Sequence, residues 1–203
     1  IPLIIDGAYG LPFPNILFEQ ARPHWNENTI LALSLSKLGL PGVRTGIIVA
    51  SEELVRAYTN ANTIVSLACG NLGPALAKVL FETGEIISIT REYVTPFYRD
   101  RAQQTATWFR RELAGLRFHI HKPEGAIFLW LWFEGLPINS QQLYQRLKER
   151  GVLVVPGHNF FVGIDDDWPH GQECIRVSYA QDPAVIERGV RIIADEVRRA
   201  YAG

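Results

Sequence analysis

The sequence predicts an α/β fold, and three observations predict it. Short apolar stretches at residues 3–5, 29–35 and 43–50 alternate with longer stretches of helical character. Those apolar stretches are nearly continuous rather than alternating, which suits a mainly parallel sheet with helices on both faces. After a long amphipathic stretch, a second and smaller alternation of strands and helices runs from residue 118 to the end.

Taken in order, the strand at 3–5 opens the chain, and those at 29–35 and 43–50 extend the same layer. Ser51 followed by Glu52 and Glu53 is an N-cap with an acidic first turn, which starts a helix toward Asn60. A second helix is expected over 74–82. Gly84 breaks the pattern, and residues 86–116 then carry apolar positions at three- and four-residue spacing among many Arg and Gln, predicting one long helix kinked near Pro96. Strands at 118–121 and 126–133, a helix at 140–150, strands at 152–155 and 174–180 and a closing helix at 183–200 make up the second set. The expected boundary lies around residues 85–91, giving one domain over 1–85 and a linking helix with a small α/β domain over 86–203. No internal repeat or low-complexity tract interrupts this plan.

Composition narrows the function classes. Of 203 residues, 47% are hydrophobic and 20% charged, enough to bury a core and against disorder. A formal charge of -1 gives no basis for broad attachment to nucleic acid or an acidic membrane. No stretch is apolar enough to span a bilayer, so a cytoplasmic protein is expected. Cys69 and Cys174 stand far apart in apolar or small-residue surroundings, which predicts two buried free thiols, not a disulfide or a zinc site. The chain opens on Ile1-Pro2-Leu3-Ile4-Ile5, a buried-strand pattern with no lead-in and no Met, and a preceding segment is therefore expected to be missing.

The chemically informative stretch is Ser34 to Gly46, SLSKLGLPGVRTG. It sets Lys37 just after a buried strand, where partial desolvation and a nearby cation favour the neutral, nucleophilic amine. Ser34, Ser36 and Arg44 supply hydroxyls and a forked donor suited to a phosphate dianion. Alone, a lysine at a strand end is more often a solvated end-cap, and Gly-Leu-Pro-Gly is a turn. Asp6-Gly7-Ala8-Tyr9 changes the balance, because it brings a carboxylate and a phenol off the carboxyl edge of the first strand, where open α/β sheets bind ligands. Pyridoxal phosphate needs such a set: an amine for its aldehyde, donors for its phosphate, and an anion that keeps its ring nitrogen protonated, for which Asp6 is suited.

Asp, three residues to Tyr, then Ser-x-Ser-Lys and an Arg seven residues on, closely resembles the fold-type I aminotransferases, the aspartate aminotransferase superfamily. The resemblance implies that Asp6 binds the pyridine nitrogen, Tyr9 the ring hydroxyl oxygen, Ser34 and Arg44 the phosphate, and Lys37 the aldehyde. CIRVSYA resembles the family strand whose arginine holds the substrate α-carboxylate, here Arg176, and VLVVPGHNF resembles the segment before it. HKPEGAIFLWLWF and QLYQRLKERGVLVVPGHNFF are similar to a branch that moves an amino group between an apolar amino acid, valine or alanine, and pyruvate. The chain matches the C-terminal half of that fold, with residues 1–85 completing the large cofactor domain. A homodimer is implied, with the loop at 66–74 reaching the neighbouring subunit. The phosphate-binding turn, stacking aromatic and Asn that the family's N-terminal half contributes cannot be located here. Two alternatives share the cofactor constellation: a lyase or decarboxylase, and an aminotransferase-like domain sensing pyridoxal phosphate in a transcription regulator.

Weaker signals read as structure. His119 and His121 alternate on one strand with no third ligand at useful spacing, so no metal site is expected. His158 is a candidate for the substrate pocket. The three aspartates at 165–167 lack the alternation of a calcium loop and read as a solvated acidic turn. Trp130 and Trp132 share one strand face and are expected to pack.

Overall fold

The computed structural model describes residues 1–164 and 168–203, and the acidic stretch at 165–167 lies outside them. Two compact units divide the chain, Ile1–Phe97 and Tyr98–Gly203.

In the first unit, β1 (Leu3–Asp6), β2 (Thr29–Ser34) and β3 (Gly46–Val49) form a sheet in that order. β1 and β2 run parallel with Asp6 opposite Ala32, while β3 returns antiparallel with Gly46 opposite Ser34. The ends of β1 and β2 and the start of β3 therefore share one edge. β2 is held at its start by buried Thr29, whose hydroxyl donates to Asn26 Oδ1 at 3.1 Å. β3 is shorter than the 43–50 expected, because Pro41–Val43 winds into a 3-10 turn and Arg44 then takes a left-handed φ of 48°.

α1 (Glu52–Ser66) starts as anticipated, with Ser51 Oγ accepting from the Leu54 amide at 3.4 Å. It runs past Asn60, stopping only at Leu67, where φ turns to 56°. α2 (Leu72–Glu82) begins before Pro74, since a proline in the first turn lacks only an amide that has no helical partner. The single helix expected over 86–116 is instead α3 (Glu85–Ile89), a π-helical turn at Thr90–Val94, and α4 (Thr95–Glu112). The Thr95 amide reaches back five residues to the Thr90 carbonyl, immediately before Pro96, which has no amide to give.

Phe13, Leu33, Leu35, Ala77 and Ile86 form the core of this unit, with Leu31, Val43, Ile47 and Leu80 packed around them. Ile86 belongs to that core, and the first compact unit runs on to Phe97, within α4.

In the second unit, β4 (His119–Ile120), β5 (Phe128–Trp132), β6 (Val155–Pro156) and β7 (Cys174–Ser178) form an antiparallel sheet of order β4-β5-β7-β6. α5 (Ser140–Glu149) carries a capping box: Asn139 Oδ1 accepts from the Gln142 amide at 2.8 Å, and Gln142 Oε1 accepts from the Asn139 amide at 3.0 Å. β6 is only two residues, not 152–155, because the Val152 amide is spent on the Leu147 carbonyl at 2.9 Å in closing α5. After α6 (Pro169–Gln172), α7 (Pro183–Ala202) buries Ile186, Val190, Ile193, Val197 and Ala200, spacings of three and four that make one apolar stripe. Buried Glu196 on α7 accepts from Arg150 at 2.6 Å, and Asp195 from the same guanidinium at 2.7 Å. Of the two cysteines expected to be buried, Cys174 is, but Cys69 is exposed in the α1–α2 connection, its sulfur accepting from Asn62 Nδ2 at 3.0 Å.

Candidate active site

The first unit gathers six of the seven residues singled out in the sequence. Asp6 is the last residue of β1, and because β2 lies parallel beside it, Ser34 ends on the same edge. Lys37 follows in a 3-10 turn over Ser36–Leu38, and Arg44 precedes β3, whose first residue pairs with Ser34. The turn between them is closed by the Leu35 amide on the Thr45 carbonyl at 3.2 Å, and by the Leu40 amide on Leu35 at 3.2 Å. A strand that descends and one that returns thus leave both cations at one edge of the sheet.

Local hydrogen bonds orient several of these groups. Asp6 Oδ1 accepts from the Ala8 amide at 3.0 Å, an Asx turn that bends the chain off β1. Gly7 is required there: a Cβ would meet Leu33 Cδ2 at 2.7 Å and the Ala32 carbonyl at 2.9 Å. The Tyr9 carbonyl accepts from Ile16 at 2.9 Å, which ties the phenol's backbone to a fully buried residue. Ser34 Oγ accepts from the Ser36 amide at 3.2 Å. Lys37 Nζ lies over the Tyr9 ring, 5.4 Å from its centroid. Arg44 donates to the Pro41 carbonyl at 3.4 Å. Among the described residues, Asp6, Lys37 and Arg44 form no ion pair with one another or with any other side chain.

A hollow of 240 Å³ is lined by Asp6 and Gly7, another of 710 Å³ by Arg44 and Thr45, and neither by Lys37.

Arg176 belongs to the second unit, in the middle of β7 between Trp130 of β5 and Val155 of β6. It is half-buried, and its Nε is closed off from water with no hydrogen-bond partner among the described residues. Leaving a buried donor unmet costs about 1–3 kcal/mol. Its Cζ lies 4.0 Å from the Phe128 ring centroid and 4.6 Å from that of Phe160. Sequence reasoning passed over both phenylalanines. The apolar run 126–133 reveals Phe128 as a strand residue, but only the pairing of β5 with β7 sets it beside Arg176.

His119, His121 and His158 lie in the second unit, with Trp130 and Trp132. His119 stacks on Trp132 with centroids 4.8 Å apart, and its Nε2 lies 3.3 Å from Glu134. His121 sits against the Lys122 carbonyl at 3.2 Å, and His158 Nδ1 is 3.1 Å from buried Ser140 Oγ. No group of three or more His, Cys, Asp or Glu is gathered for a metal among the described residues. Trp130 packs edge-on against Phe160 at 5.2 Å, and Trp132 donates its indole N–H to Glu173 at 2.7 Å. Burial pushes the Cys174 thiol up to about 12, so it stays protonated.

A lysine, a carboxylate, two serine hydroxyls and an arginine thus share one edge of an α/β sheet. The chain belongs to the aminotransferase class I and II family, whose model matches residues 1–193. It is 55% identical to the valine-pyruvate aminotransferase of Escherichia coli over 202 residues, all of this chain and 48% of that protein. Its structure is similar to that of a valine-pyruvate aminotransferase from Salmonella typhimurium, with a TM-score of 0.94 and 53% identity, over 100% of this chain and 52% of the other. It also matches an α-aminoadipate aminotransferase from Thermus thermophilus complexed with N-(5'-phosphopyridoxyl)-L-leucine, with a TM-score of 0.83 and 27% identity, over 100% and 51%. The chain thus has the fold-type I aminotransferase fold, and it spans about half the length of the curated relatives it matches.

Proposed function

We propose that this chain is the C-terminal half of a pyridoxal-phosphate-dependent aminotransferase that moves an amino group between an apolar amino acid, valine or alanine, and pyruvate. The observation that carries the reading is the set of charges Asp6, Lys37 and Arg44, gathered at one sheet edge with no ion pair among the described residues. Unspent charges of both signs fit a ligand that presents both. The identity to the valine-pyruvate enzyme of Escherichia coli supports the substrate pair.

The residues present fit pyridoxal phosphate. Ser34, Ser36 and Arg44 offer donors to its phosphate, Asp6 an anion to its ring nitrogen, Tyr9 a phenol to its ring oxygen, and Lys37 an amine to its aldehyde. When bound, the cofactor withdraws electrons from the substrate Cα and so acidifies its proton. With its amine free, the Lys37 Nζ would be the base that takes the Cα proton and the acid that returns one. Tyr9 screens one side of Nζ from water. Arg176 holds the α-carboxylate by two parallel donors, a geometry Lys cannot reproduce.

A homodimer in the cytoplasm is part of the proposal. No helix of the described residues is long and apolar enough to cross a membrane, and α1 carries exposed Tyr58, Ile64 and Val65 suited to a partner subunit. Borohydride reduction tests the central residue: in the cofactor-loaded protein, the label should be fixed on Lys37, and Lys37→Ala should abolish it along with nearly all transamination. Label on another lysine would overturn the assignment.

A further inference from the structure

We infer that Phe128 and Phe160 are positioning residues for Arg176: their ring faces hold the guanidinium in the plane in which it meets a substrate carboxylate. The inference rests on the reading of Arg176 as the carboxylate-binding residue, and it adds what fixes that residue.

An arginine is ordinarily oriented by hydrogen bonds from its five donors, but Arg176 makes none among the described residues, and even its buried Nε is unmet. What touches it is aromatic. Its Cζ sits over Phe128 at 4.0 Å and over Phe160 at 4.6 Å, both well within the ~6 Å over which a ring face attracts a cation. Ring faces restrict the tilt of a planar cation while leaving its in-plane N–H groups unclaimed, and those are the groups a carboxylate needs. A protein carboxylate in the same place would orient the arginine equally well but would occupy the fork.

Both rings are fixed by the fold. Phe128 stands on β5 two residues from Trp130, the direct cross-strand neighbour of Arg176. Phe160 ends the 3-10 turn Gly157–Phe160, which lies so close to β7 that a Cβ on Gly157 would meet the Cys174 carbonyl and Cβ at 2.7 Å. Trp130 then buttresses Phe160 edge-on at 5.2 Å. Phe160 remains 42% exposed, so its replacement leaves the core untouched.

The test uses the cofactor-loaded protein and three probes: valine in the single-turnover half-reaction, 3-methylbutanoate as a carboxylate-only competitor, and isobutylamine, which is valine without its carboxylate, followed by the visible absorbance of the bound cofactor. Phe160→Ala should weaken valine and 3-methylbutanoate by roughly 2- to 30-fold, the range of a single cation–π contact, with most of the loss in KM. Isobutylamine should change less than about twofold, within the scatter for an uncoupled site. Phe160→Tyr should restore the parent values, because it keeps the ring face, and Phe160→Leu should not. Phe128→Tyr and Phe128→Leu repeat the comparison without emptying the sheet. In an Arg176→Lys background, Phe160→Ala should add little further loss. If Phe160→Ala leaves 3-methylbutanoate unaffected, or if Leu serves as well as Tyr, the positioning role is overturned while the Arg176 reading stands. If Arg176→Lys itself impairs isobutylamine and valine equally, the underlying reading fails instead.

Discussion

The two units prepare their charged groups in opposite ways. In the first, Asp6, Lys37 and Arg44 sit at or beside the ends of strands: Asp6 and Arg44 bond backbone groups two and three residues away, and Lys37 lies over the Tyr9 ring. In the second, Arg176 sits in the middle of a strand against two rings from distant parts of the chain, with a buried Nε that has no partner among the described residues. Turn residues can be aimed by local sequence, since Asx turns and glycines set the backbone directly. A strand residue can be aimed only by what pairs and packs beside it. A cofactor site built from turns and a carboxylate site built from packing should therefore respond differently to mutation.

The largest effect expected, after loss of Lys37, is from Asp6. Its carboxylate should keep the cofactor nitrogen protonated, so Asp6→Asn should slow proton abstraction by about 10²- to 10³-fold, the scale of losing one preorganised electrostatic partner. Cofactor binding should persist, because the Asx turn can be made by Asn as well. Rapid-scan absorbance separates the two steps. Turnover near the parent rate would remove Asp6 from this role.

Arg176→Lys sharpens the contrast by one step. Charge is kept, but one of two parallel donors is lost, and a hydrogen bond to a charged group is worth ~1.5–3 kcal/mol, so kcat/KM for valine should fall about 10- to 150-fold. In the first unit the corresponding change, Arg44→Lys, should weaken the cofactor and leave the ratio of valine to isobutylamine reactivity unchanged. Measuring that ratio for both variants tells whether the two arginines read different ligands. Equal shifts in the ratio would merge the sites that the fold keeps on separate units.

This contrast also explains what was legible beforehand. The residues from Ser34 to Arg44 are contiguous, and the strand–turn–strand that carries them is visible in its apolar runs and its glycines, so the edge could be assembled from sequence. Asp6 joined it because a parallel neighbour of β2 necessarily ends on the same edge. Phe128 and Phe160 were illegible for the converse reason. Their meeting with Arg176 depends on β5–β7 pairing across about fifty residues and on a turn seated against β7, and neither leaves a local signature. The π-helical turn was missed because the amphipathic spacing continues through it, with only Pro96 hinting at a break. Cys69 was misjudged from its small-residue neighbours, which signal a tight connection as readily as a core.

The two cysteines give the mildest test of the division. Cys174 is buried on β7, and burial, the leading influence on its thiol, raises its pKa to about 12 even though the Trp130 side chain pulls the other way. Because the raised value disfavours thiolate, the group should remain protonated at pH 8, and alkylation, which needs thiolate and access, should pass it by. Cys69 is exposed, and its sulfur accepts from the Asn62 amide. Iodoacetamide at pH 8 should therefore modify one thiol of two, at Cys69, with peptide mapping as the readout. Under denaturant both should react, which shows that the protection of Cys174 comes from the fold. Rapid native labelling of Cys174 would mean that β7 opens readily, and a strand that opens could not hold Arg176 to a fixed plane by packing alone.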